Sequence, residues 1–316
     1  EILIGLVGSE MCIRDSDYTE WQTLRRYPIL NWNMGMTYRL RERDERVYPQ
    51  GELARRTIGQ VGDKGNYGVE YVLRDVLEGR DGKARRQRIA RGFYGRVVGG
   101  DNSEPEDGLD VVTTLDLEMQ DVADRALRRQ LEAQNALWGT ALVMEVATGD
   151  LLAMANLSRT KSGAYAEVKN HALSSRMEPG STFKLAALLA LVDDAGMSLD
   201  ETFDTGNGAR VKVGRTTVQD SHGLPPLNLK DAVAHSSNVF FARAVYETYK
   251  DDPERYVDYL RHLHLDRTVG LEEFGAVAPI FPAPGMKIWY PDVSIVNMGY
   301  GYAIELTPLH TLTLYN

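Results

Sequence analysis

The segment Glu178–Val192 constrains the fold more than any other part of this 316-residue sequence. It reads EPGSTFK followed by LAALLALV, so a proline and a glycine make a tight turn directly before an apolar stretch. We predict a core helix over Ser181–Asp194, with Ser181 in its first turn. Lys184 comes three residues later, and this spacing places its amine on the same helix face as the Ser181 hydroxyl.

Ser181 and Lys184 are the residue types of an activated nucleophile and its base. A serine hydroxyl is a weak nucleophile at neutral pH and needs an adjacent base. Lysine can be that base when burial beside apolar groups lowers the pKa of its amine, and the following apolar stretch supplies such groups. The helix N-terminus adds a positive potential that favours a developing oxyanion. We therefore predict acyl transfer with Ser181 as nucleophile and Lys184 as base.

A second Ser-x-x-Lys sequence shows that this spacing alone is a weak signal. It occurs at Ser158–Lys161, where no apolar helix follows. We interpret that copy as coincidental and place it in a loop after a β-hairpin. The turn and the apolar helix are what distinguish the copy at Ser181.

Ser236 and Asn238 form the second chemical signal, in the string DAVAHSSNVFFARAV. In a short irregular loop between two helices, a Ser-x-Asn pattern directs the hydroxyl and the amide to one side. The hydroxyl could then relay a proton near Lys184, and the amide could hold a substrate carbonyl. The alternative is a helix N-cap serine beside a solvated asparagine, and the neighbouring nucleophile pattern favours the functional interpretation.

The composition bounds the functional class. Apolar residues make up 43% of the sequence, enough for a globular core, and the net charge of −9 argues against a nucleic-acid binder. Cys12 is the only cysteine, so no intrachain disulfide can form. No apolar run approaches the roughly 20 residues that span a bilayer. His262 and His264 lack partners at metal-ligand spacing, and the Gly-x-Gly sequences lack the third glycine of a dinucleotide site, so we expect neither a metal nor a cofactor.

The secondary-structure pattern predicts an α/β (α+β) fold with an antiparallel sheet. A helix from the N-cap Asp116 to about Gln134 follows a predicted strand over Leu109–Leu115. A hairpin joins Ala141–Val146 to Leu151–Ala155, with both strands largely buried. The apolar stripe of the helix comprises Met119, Val122, Ala126, Leu127 and Leu131. Further helices are predicted over Leu229–Tyr249, over Pro253–His262 and from the N-cap Thr307 onward.

The chain divides into three predicted parts. Residues 1–16 (EILIGLVGSEMCIRDS) resemble translated sequencing-adapter read-through and are predicted to be non-native, with a genuine short strand and loop as the alternative. Residues 17–107 are polar, arginine-rich and broken by glycines, and they predict a structural or docking module. The linker-like string DNSEPEDG ends that module, and residues 108–316 carry the chemical signals.

Taken together and in order, EPGSTFK, HSSN, EVATGDLLAMANL and NMGYGYAIELTPLHTLTLYN resemble the transpeptidase domain of penicillin-binding proteins. The segments YPQGELARRTIG and GVEYVLRDVLEGRDG resemble the N-terminal pedestal of class B members, and the chain is most similar to the FtsI-like division type. The resemblance implies the penicillin-binding transpeptidase fold, an antiparallel sheet flanked by helices, with a smaller pedestal module. It also implies a membrane-anchored protein at the periplasmic face of the inner membrane, with divisome or elongasome partners.

The resemblance implies a role for each of the four residues. Ser181 would attack the D-Ala–D-Ala bond of a peptidoglycan stem peptide and form an acyl-enzyme, and an amine of a neighbouring stem would complete the cross-link. Lys184 matches the family's base, Ser236 its proton-relay serine and Asn238 its substrate-contacting asparagine. β-Lactam antibiotics mimic D-Ala–D-Ala and acylate the same serine.

One departure concerns the family's third motif, Lys-Thr/Ser-Gly, which should follow the helix that Thr307 begins. The sequence stops at Asn316 before any such motif, and the Lys-Ser-Gly at Lys161–Gly163 precedes the nucleophile. We therefore expect a C-terminally truncated fragment that is inactive or nearly so, from a protein that is an enzyme when complete.

Two other functions stay open from the sequence. One is a serine β-lactamase or β-lactam sensor on the same scaffold, although the pedestal-like segments argue against it. The other is a non-catalytic division scaffold. Asp220–Gly223 also resembles a loop of the family, and there we predict only a turn with a capping aspartate and no catalytic role.

Overall fold

The structure, a computed structural model, describes residues 2–5, 13–16, 18–24, 26–27, 37–40, 47–62, 65–83, 86–90, 93–96 and 103–316. The chain divides into two compact units, Glu1–Gly51 and Glu52–Asn316. No described helix is long and apolar enough to cross a membrane. The functional boundary between residues 107 and 108 stays a prediction.

The described residues include the following helices and strands, joined by turns and irregular segments. The α-helices are α1 (Tyr18–Leu24), α2 (Arg55–Ile58), α3 (Gly68–Val72), α4 (Arg74–Leu77), α5 (Leu117–Ala133), α6 (His171–Ser174), α7 (Lys184–Leu189), α8 (Leu229–Ala234), α9 (Asn238–Tyr249), α10 (Pro253–His262), α11 (Ser294–Met298) and α12 (Pro308–Leu314). The strands are β1 (Ile2–Gly5), β2 (Ile13–Ser16), β3 (Thr37–Leu40), β4 (Arg86–Ala90), β5 (Phe93–Arg96), β6 (Trp138–Met144), β7 (Leu151–Arg159), β8 (Tyr165–Ala166), β9 (Thr202–Phe203), β10 (Val211–Val213), β11 (Thr216–Val218) and β12 (Leu227–Asn228).

In the unit Glu1–Gly51, β1 pairs antiparallel with β2 on one side and with β3 on the other. Strands therefore lie near both ends of residues 1–16, the segment predicted to be non-native. The non-native origin of residues 1–16 stays a prediction, because both native and non-native sequences can form a strand.

The unit Glu52–Asn316 contains the antiparallel sheet β6-β7-β8, with β7 in the centre. The β6–β7 hairpin pairs Trp138 with Ser158 and Val143 with Ala153. The middle of β7 is buried on both faces, which explains its continuous apolar sequence. The predicted hairpin is confirmed, with its strands extended to Trp138 and Arg159 and with β6 ending at Met144 rather than Val146. The prediction that both strands are largely buried is correct only for β7, because β6 is mostly half-buried and Val146 is 74% exposed.

Helix α5 packs on this sheet and begins where the sequence predicts. The Asp116 carboxylate caps it by accepting a hydrogen bond from the Met119 N–H at 2.8 Å. The predicted apolar stripe is wrong in part, because Met119 and Val122 are 44% and 58% exposed.

A buried glutamine belongs to the inner face of α5, which therefore differs from the predicted apolar stripe. Gln120 is 2% exposed, and its side-chain amide accepts from the Met154 N–H at 2.7 Å and donates to the Met154 carbonyl at 3.2 Å. The apolar pattern of the helix predicts that position 120 faces solvent, but in the structure the Gln120 side chain is buried against the sheet. The face toward the sheet carries Gln120, Ala123, Asp124, Leu127 and Leu131.

The predicted strand Leu109–Leu115 is wrong, since these residues have no regular secondary structure. At its end, Thr114 Oγ1 donates to the Leu151 carbonyl and the Asp116 N–H to the Leu152 carbonyl, both at 2.8 Å. Two bonds do not make a strand, because a ladder needs repeated backbone pairs with one neighbour.

The main core surrounds α7 and α9. Three alanines of the helical segment around α7 (Ala186, Ala187 and Ala190) are fully buried, so neighbouring elements approach closely. Phe240 and Phe241 of α9 are also fully buried, and their rings meet edge to face with centroids 5.7 Å apart. This core fixes α7 and α9 relative to each other.

The predicted helices of this core are confirmed, with local departures from α geometry. A 3-10 turn at Gly180–Phe183 runs into α7, and a π-helical turn at Ala190–Asp194 continues it. The predicted helix over Leu229–Tyr249 is interrupted between α8 and α9. α10 coincides with its prediction, and the Thr307 hydroxyl caps α12.

Candidate active site

The turn that carries Ser181 is held by close backbone contact. Gly180 has a left-handed backbone (φ 56°), and its N–H donates to the Gly301 carbonyl at 2.9 Å. A Cβ on Gly301 would lie 1.9 Å from the Gly180 oxygen, so these two backbone segments are in direct contact. Phe183 is fully buried and anchors the turn, whereas Ser181 is exposed. The turn is thereby fixed while its hydroxyl stays accessible.

Lys184 lies one helical turn beyond Ser181 and is 5% exposed. Its Nζ lies 3.2 Å from Ser181 Oγ. The same amine donates to the Ser236 carbonyl at 2.5 Å, to Ser236 Oγ at 3.0 Å and to Asn238 Oδ1 at 2.7 Å. The four site residues predicted from the sequence therefore meet at one nitrogen.

Ser236 and Asn238 reach this nitrogen because the chain breaks between α8 and α9. The backbone N–H groups of Ser236 and Ser237 bond back onto α8. Ser236 is left-handed (φ 52°), and both its carbonyl and its hydroxyl contact Lys184. Ser237 is the N-cap of α9. The irregular loop is confirmed, and the capping serine is Ser237, which leaves the Ser236 hydroxyl free of that task.

Burial lowers the pKa of the Lys184 amine to about 8, and the charge of Asp220 opposes part of that change. The Phe241 ring contributes an apolar wall, with its centroid 5.8 Å from Nζ. An amine with this pKa is partly neutral near physiological pH, as a general base must be.

Asp220 is the residue at this site whose place the sequence did not reveal. Its carboxylate is 6% exposed and accepts from the Asn238 N–H at 2.5 Å, the Val239 N–H at 3.1 Å and Ser237 Oγ at 2.8 Å. The predicted turn with a capping aspartate is wrong in its location: Ser221 and His222 form only a bend, and the Asp220 carboxylate instead caps α9, 18 residues further along the chain. No local spacing rule connects an aspartate to a helix at that distance.

The second Ser-x-x-Lys copy makes no comparable pair. Ser158 lies in β7 rather than in the predicted loop, and its Oγ lies 2.7 Å from His171 Nε2. Lys161 is exposed in the turn after β7. Because a strand alternates its side chains, three-residue spacing there does not bring the hydroxyl and the amine together.

The contacts around Lys184 can move a proton and stabilise developing charge. Neutral Lys184 can accept the Ser181 proton across 3.2 Å and exchange one with Ser236 Oγ. The first N–H groups of a helix have no partner within it, so the Ser181 N–H is suited to an oxyanion. Because the Asn238 oxygen faces Lys184, its amide nitrogen is the atom left to donate to a substrate.

Residues 139–316 match the family model described as penicillin binding protein transpeptidase domain. This match covers 178 of the 316 residues, which is more than half of the chain. It includes all four residues that meet at the Lys184 amine.

Curated relatives carry related names. The probable peptidoglycan D,D-transpeptidase PenA of Neisseria meningitidis is 27% identical over 282 residues, 86% of this chain and 46% of PenA. The penicillin-binding protein PbpB of Mycobacterium tuberculosis is 29% identical over 86% of this chain and 40% of PbpB. The peptidoglycan D,D-transpeptidase FtsI of Escherichia coli is 26% identical over 87% of this chain and 46% of FtsI. The chain spans about half the length of the curated relatives it matches.

Solved structures share the fold. Penicillin-binding protein 3 from Mycobacterium tuberculosis, complexed with aztreonam, has a TM-score of 0.70 at 25% identity, over 89% of this chain and 58% of that chain. A putative peptidoglycan glycosyltransferase from Atopobium parvulum has a TM-score of 0.68 at 20% identity, over 90% of this chain and 62% of that chain, a likeness of fold alone. The predicted fold of an antiparallel sheet flanked by helices is confirmed.

Proposed function

Because this chain belongs to the penicillin-binding protein transpeptidase family, we propose that the complete protein is a peptidoglycan D,D-transpeptidase that cross-links stem peptides through a serine acyl-enzyme. The observation that carries the proposal is the meeting of Ser181, Ser236 and Asn238 at the Lys184 amine. The names of PenA and FtsI as peptidoglycan D,D-transpeptidases support it.

Acylation requires one proton to leave Ser181 and one to reach the departing amine. Ser181 Oγ attacks the carbonyl carbon of the D-Ala–D-Ala bond while neutral Lys184 takes the hydroxyl proton. The C–N bond then breaks, and the leaving amine receives a proton through Ser236 Oγ. D-Alanine departs, and an ester on Ser181 remains.

Transfer reverses the same proton movements. An amine of a neighbouring stem peptide attacks the ester carbonyl and gives its proton to the Lys184 amine. The ester C–O bond breaks, Ser181 regains its hydrogen, and a new amide links the two stems. Asn238 holds the substrate carbonyl throughout. A β-lactam acylates Ser181 in the same way, but its opened ring stays attached and blocks the acceptor.

Labelling of the complete protein with a fluorescent penicillin tests the nucleophile and the base. Ser181→Ala should abolish labelling, because no hydroxyl remains to form the ester. Lys184→Ala should slow labelling by about 100-fold or more, because proton transfer from Ser181 loses its acceptor. Mass spectrometry should locate the adduct on the peptide that contains Ser181.

Lys161→Ala is the matched control, since Lys161 has the same Ser-x-x-Lys spacing but lies exposed in a turn. It should label at the wild-type rate. An adduct on another residue, or full labelling of Ser181→Ala, would show that the assignment is wrong.

A serine β-lactamase or β-lactam sensor on the same scaffold is the alternative enzyme. The lifetime of the penicillin adduct separates the two. A transpeptidase should keep the adduct for hours, whereas a β-lactamase should hydrolyse it rapidly and turn over. The pedestal-like segments favour the transpeptidase.

The cellular role and location of the protein follow from the same resemblance. We propose that the complete protein acts in cell division, anchored in the inner membrane with its enzyme domain in the periplasm, beside divisome membrane proteins. Complete Ser181→Ala protein, expressed in cells depleted of the native protein, should fail to restore septation. Restored cross-linking by this variant would instead support a non-catalytic scaffold, and a defect in elongation alone would place the protein in the elongasome.

A further inference from the structure

Asp220 is delivered to the start of α9 by the loop that follows β11. On its N-terminal side Val218 is 3% exposed, and the Gln219 side chain donates to the Gly208 carbonyl at 2.9 Å. The Asp220 carboxylate is itself buried, and a buried carboxylate is costly unless donors surround it. The position of Asp220 is therefore fixed both by the preceding residues of its loop and by the donors around its carboxylate.

The donors to this carboxylate are the first groups of α9. Its Oδ1 accepts from the N–H groups of Asn238 and Val239, and its Oδ2 accepts from the hydroxyl of Ser237, which caps the next N–H of the helix. The N-terminal donors that a helix leaves unpaired are thus satisfied by a residue from another segment. Asn238, one of the residues that contact Lys184, is among those held.

Ser236 needs an anchor on both sides. A left-handed backbone is unfavourable for a non-glycine residue such as Ser236, so it persists only where neighbours hold it. Its N–H is tied to α8, and Ser237 on its other side is tied to Asp220. Release of the second anchor would let Ser236 relax and take its carbonyl and hydroxyl away from Lys184.

Asp220 also acts on Lys184 by its charge. It raises the pKa of the amine against the larger effect of burial. Four other titratable groups on neighbouring segments either have partners of their own or are exposed. Glu178 accepts from the Ala303 N–H, Arg243 pairs with Asp204, His222 contacts Ser221, and His235 is exposed.

We propose that Asp220 is a positioning residue for acylation, which fixes the N-terminus of α9 so that Ser236 and Asn238 stay against the Lys184 amine, and which places a negative charge beside that amine. The inference rests on the proposed function for the reaction, but the contacts it invokes are independent of the substrate.

Two variants test the charge and the hydrogen bonds of Asp220. Asp220→Asn removes the charge and replaces one acceptor oxygen with an amide nitrogen at nearly constant shape, whereas Ser237→Ala removes one donor and keeps the charge. Asp116→Asn is the matched control, since Asp116 caps α5 through a similar bond on another helix. Melting curves of all three variants report whether each one folds.

The first readout is the titration of Lys184 in protein labelled with [ε-13C]lysine, in which the Lys184 resonance is assigned by its loss in Lys184→Arg. The wild-type midpoint should lie near pH 8. In Asp220→Asn the midpoint should move to lower pH, because the charge that favours the ammonium form is gone. Ser237→Ala and Asp116→Asn should titrate like the wild type.

The second readout is the penicillin acylation rate of the complete protein above pH 9, where Lys184 is mostly neutral in every variant. Asp220→Asn and Ser237→Ala should both lose about 10- to 100-fold in rate, because the proton-relay groups are misplaced. Asp116→Asn should keep the wild-type rate. A purely structural cap would lower the melting temperature without moving the titration midpoint.

Each result for Asp220→Asn and Ser237→Ala either supports or overturns the positioning role of Asp220. An unchanged midpoint in folded Asp220→Asn, or full rates in Asp220→Asn and Ser237→Ala, would overturn the proposal. Should Asp220→Asn fail to fold, the rate of Ser237→Ala decides: a wild-type rate refutes the positioning role, and a loss supports it. A moved midpoint in a protein that penicillin never acylates would refute the proposed function but not the role of Asp220.

Discussion

Lys184 is a buried amine surrounded by oxygen atoms. Its three N–H groups lie within hydrogen-bond distance of four oxygen atoms on Ser181, Ser236 and Asn238. Oxygen acceptors by themselves favour the ammonium form, but burial disfavours the charge more strongly and lowers the pKa of the amine. In the neutral form two N–H groups can bond to the loop while the lone pair receives the Ser181 proton. At the scale of the residue, burial makes this lysine a base.

The pH dependence of acylation should report this amine directly. Because the neutral form is the reactive one, the penicillin acylation rate of the complete protein should rise between pH 7 and pH 9, with a midpoint near 8. Stopped-flow labelling across that range measures it. Lys184→Arg should label slowly at every pH, because a guanidinium stays protonated. A flat wild-type profile over the same range would exclude Lys184 as the titrating base.

At the scale of the element, the Ser181 turn depends on a segment that follows α11. Gly180 donates to the Gly301 carbonyl, and the Glu178 carboxylate accepts from the Ala303 N–H at 3.0 Å. Beyond it, the Tyr315 hydroxyl donates to the Thr182 carbonyl at 2.8 Å. The helix start that carries the nucleophile is therefore supported by residues more than a hundred positions away.

Two glycines with nearly the same φ allow the effect of backbone strain on stability to be distinguished from the effect of a close contact. Gly163 and Gly301 have φ of 88° and 89°, but of the two only Gly301 approaches a distant backbone segment, with the Gly180 oxygen 1.9 Å from a Cβ placed there. Gly163→Ala should cost about 1 kcal/mol, because an alanine is strained at a positive φ. Gly301→Ala should cost about 2 kcal/mol more, because the turn must move, and it should also slow acylation. Urea denaturation and penicillin labelling measure both effects; equal losses for the two variants would contradict the contact.

At the scale of the whole molecule, Glu167 connects segments far apart in the chain within the unit Glu52–Asn316. Its carboxylate accepts from the Arg56 N–H at 2.7 Å and from the Asn156 N–H of β7 at 3.1 Å. Burial raises the pKa of this carboxyl to about 7 despite these bonds. A group that joins two segments is thus close to its titration point at neutral pH.

The sign of the resulting pH effect follows from linkage. Between about pH 4.5 and pH 7 the folded protein keeps a proton on Glu167 that the unfolded chain has released, so stability falls as pH rises through this window, by at most about 3 kcal/mol. Urea denaturation at pH 5 and pH 7 measures it. Glu167→Gln should flatten this part of the profile, and Glu132→Gln, at an exposed position of α5, should not. Identical slopes in the wild type and Glu167→Gln would rule out this source.

The sequence by itself determined the features that depend on neighbours within one or two turns. The approach of Lys184 to Ser181 follows from three-residue spacing on a helix, and the Asp116 cap and the bounds of α10 follow from local rules. The β6–β7 hairpin belongs to the same class, because its strands adjoin one turn. The family motifs indicated that Ser236 and Asn238 join the site, although no local rule predicts their distances.

Only the tertiary structure decided which distant segments touch. Lys184 meets Ser236 across 52 residues, and Asp220 meets Asn238 across 18. Gln120 lies on the inner face of α5 because a backbone carbonyl and N–H of β7 pair with it there, against the apolar pattern of the helix. Hydrogen bonds of this kind form between groups that packing brings together, and their partners carry no periodicity along the chain. A buried polar group is stable only once such a partner is in place, which is why folding, and not spacing, settles these contacts.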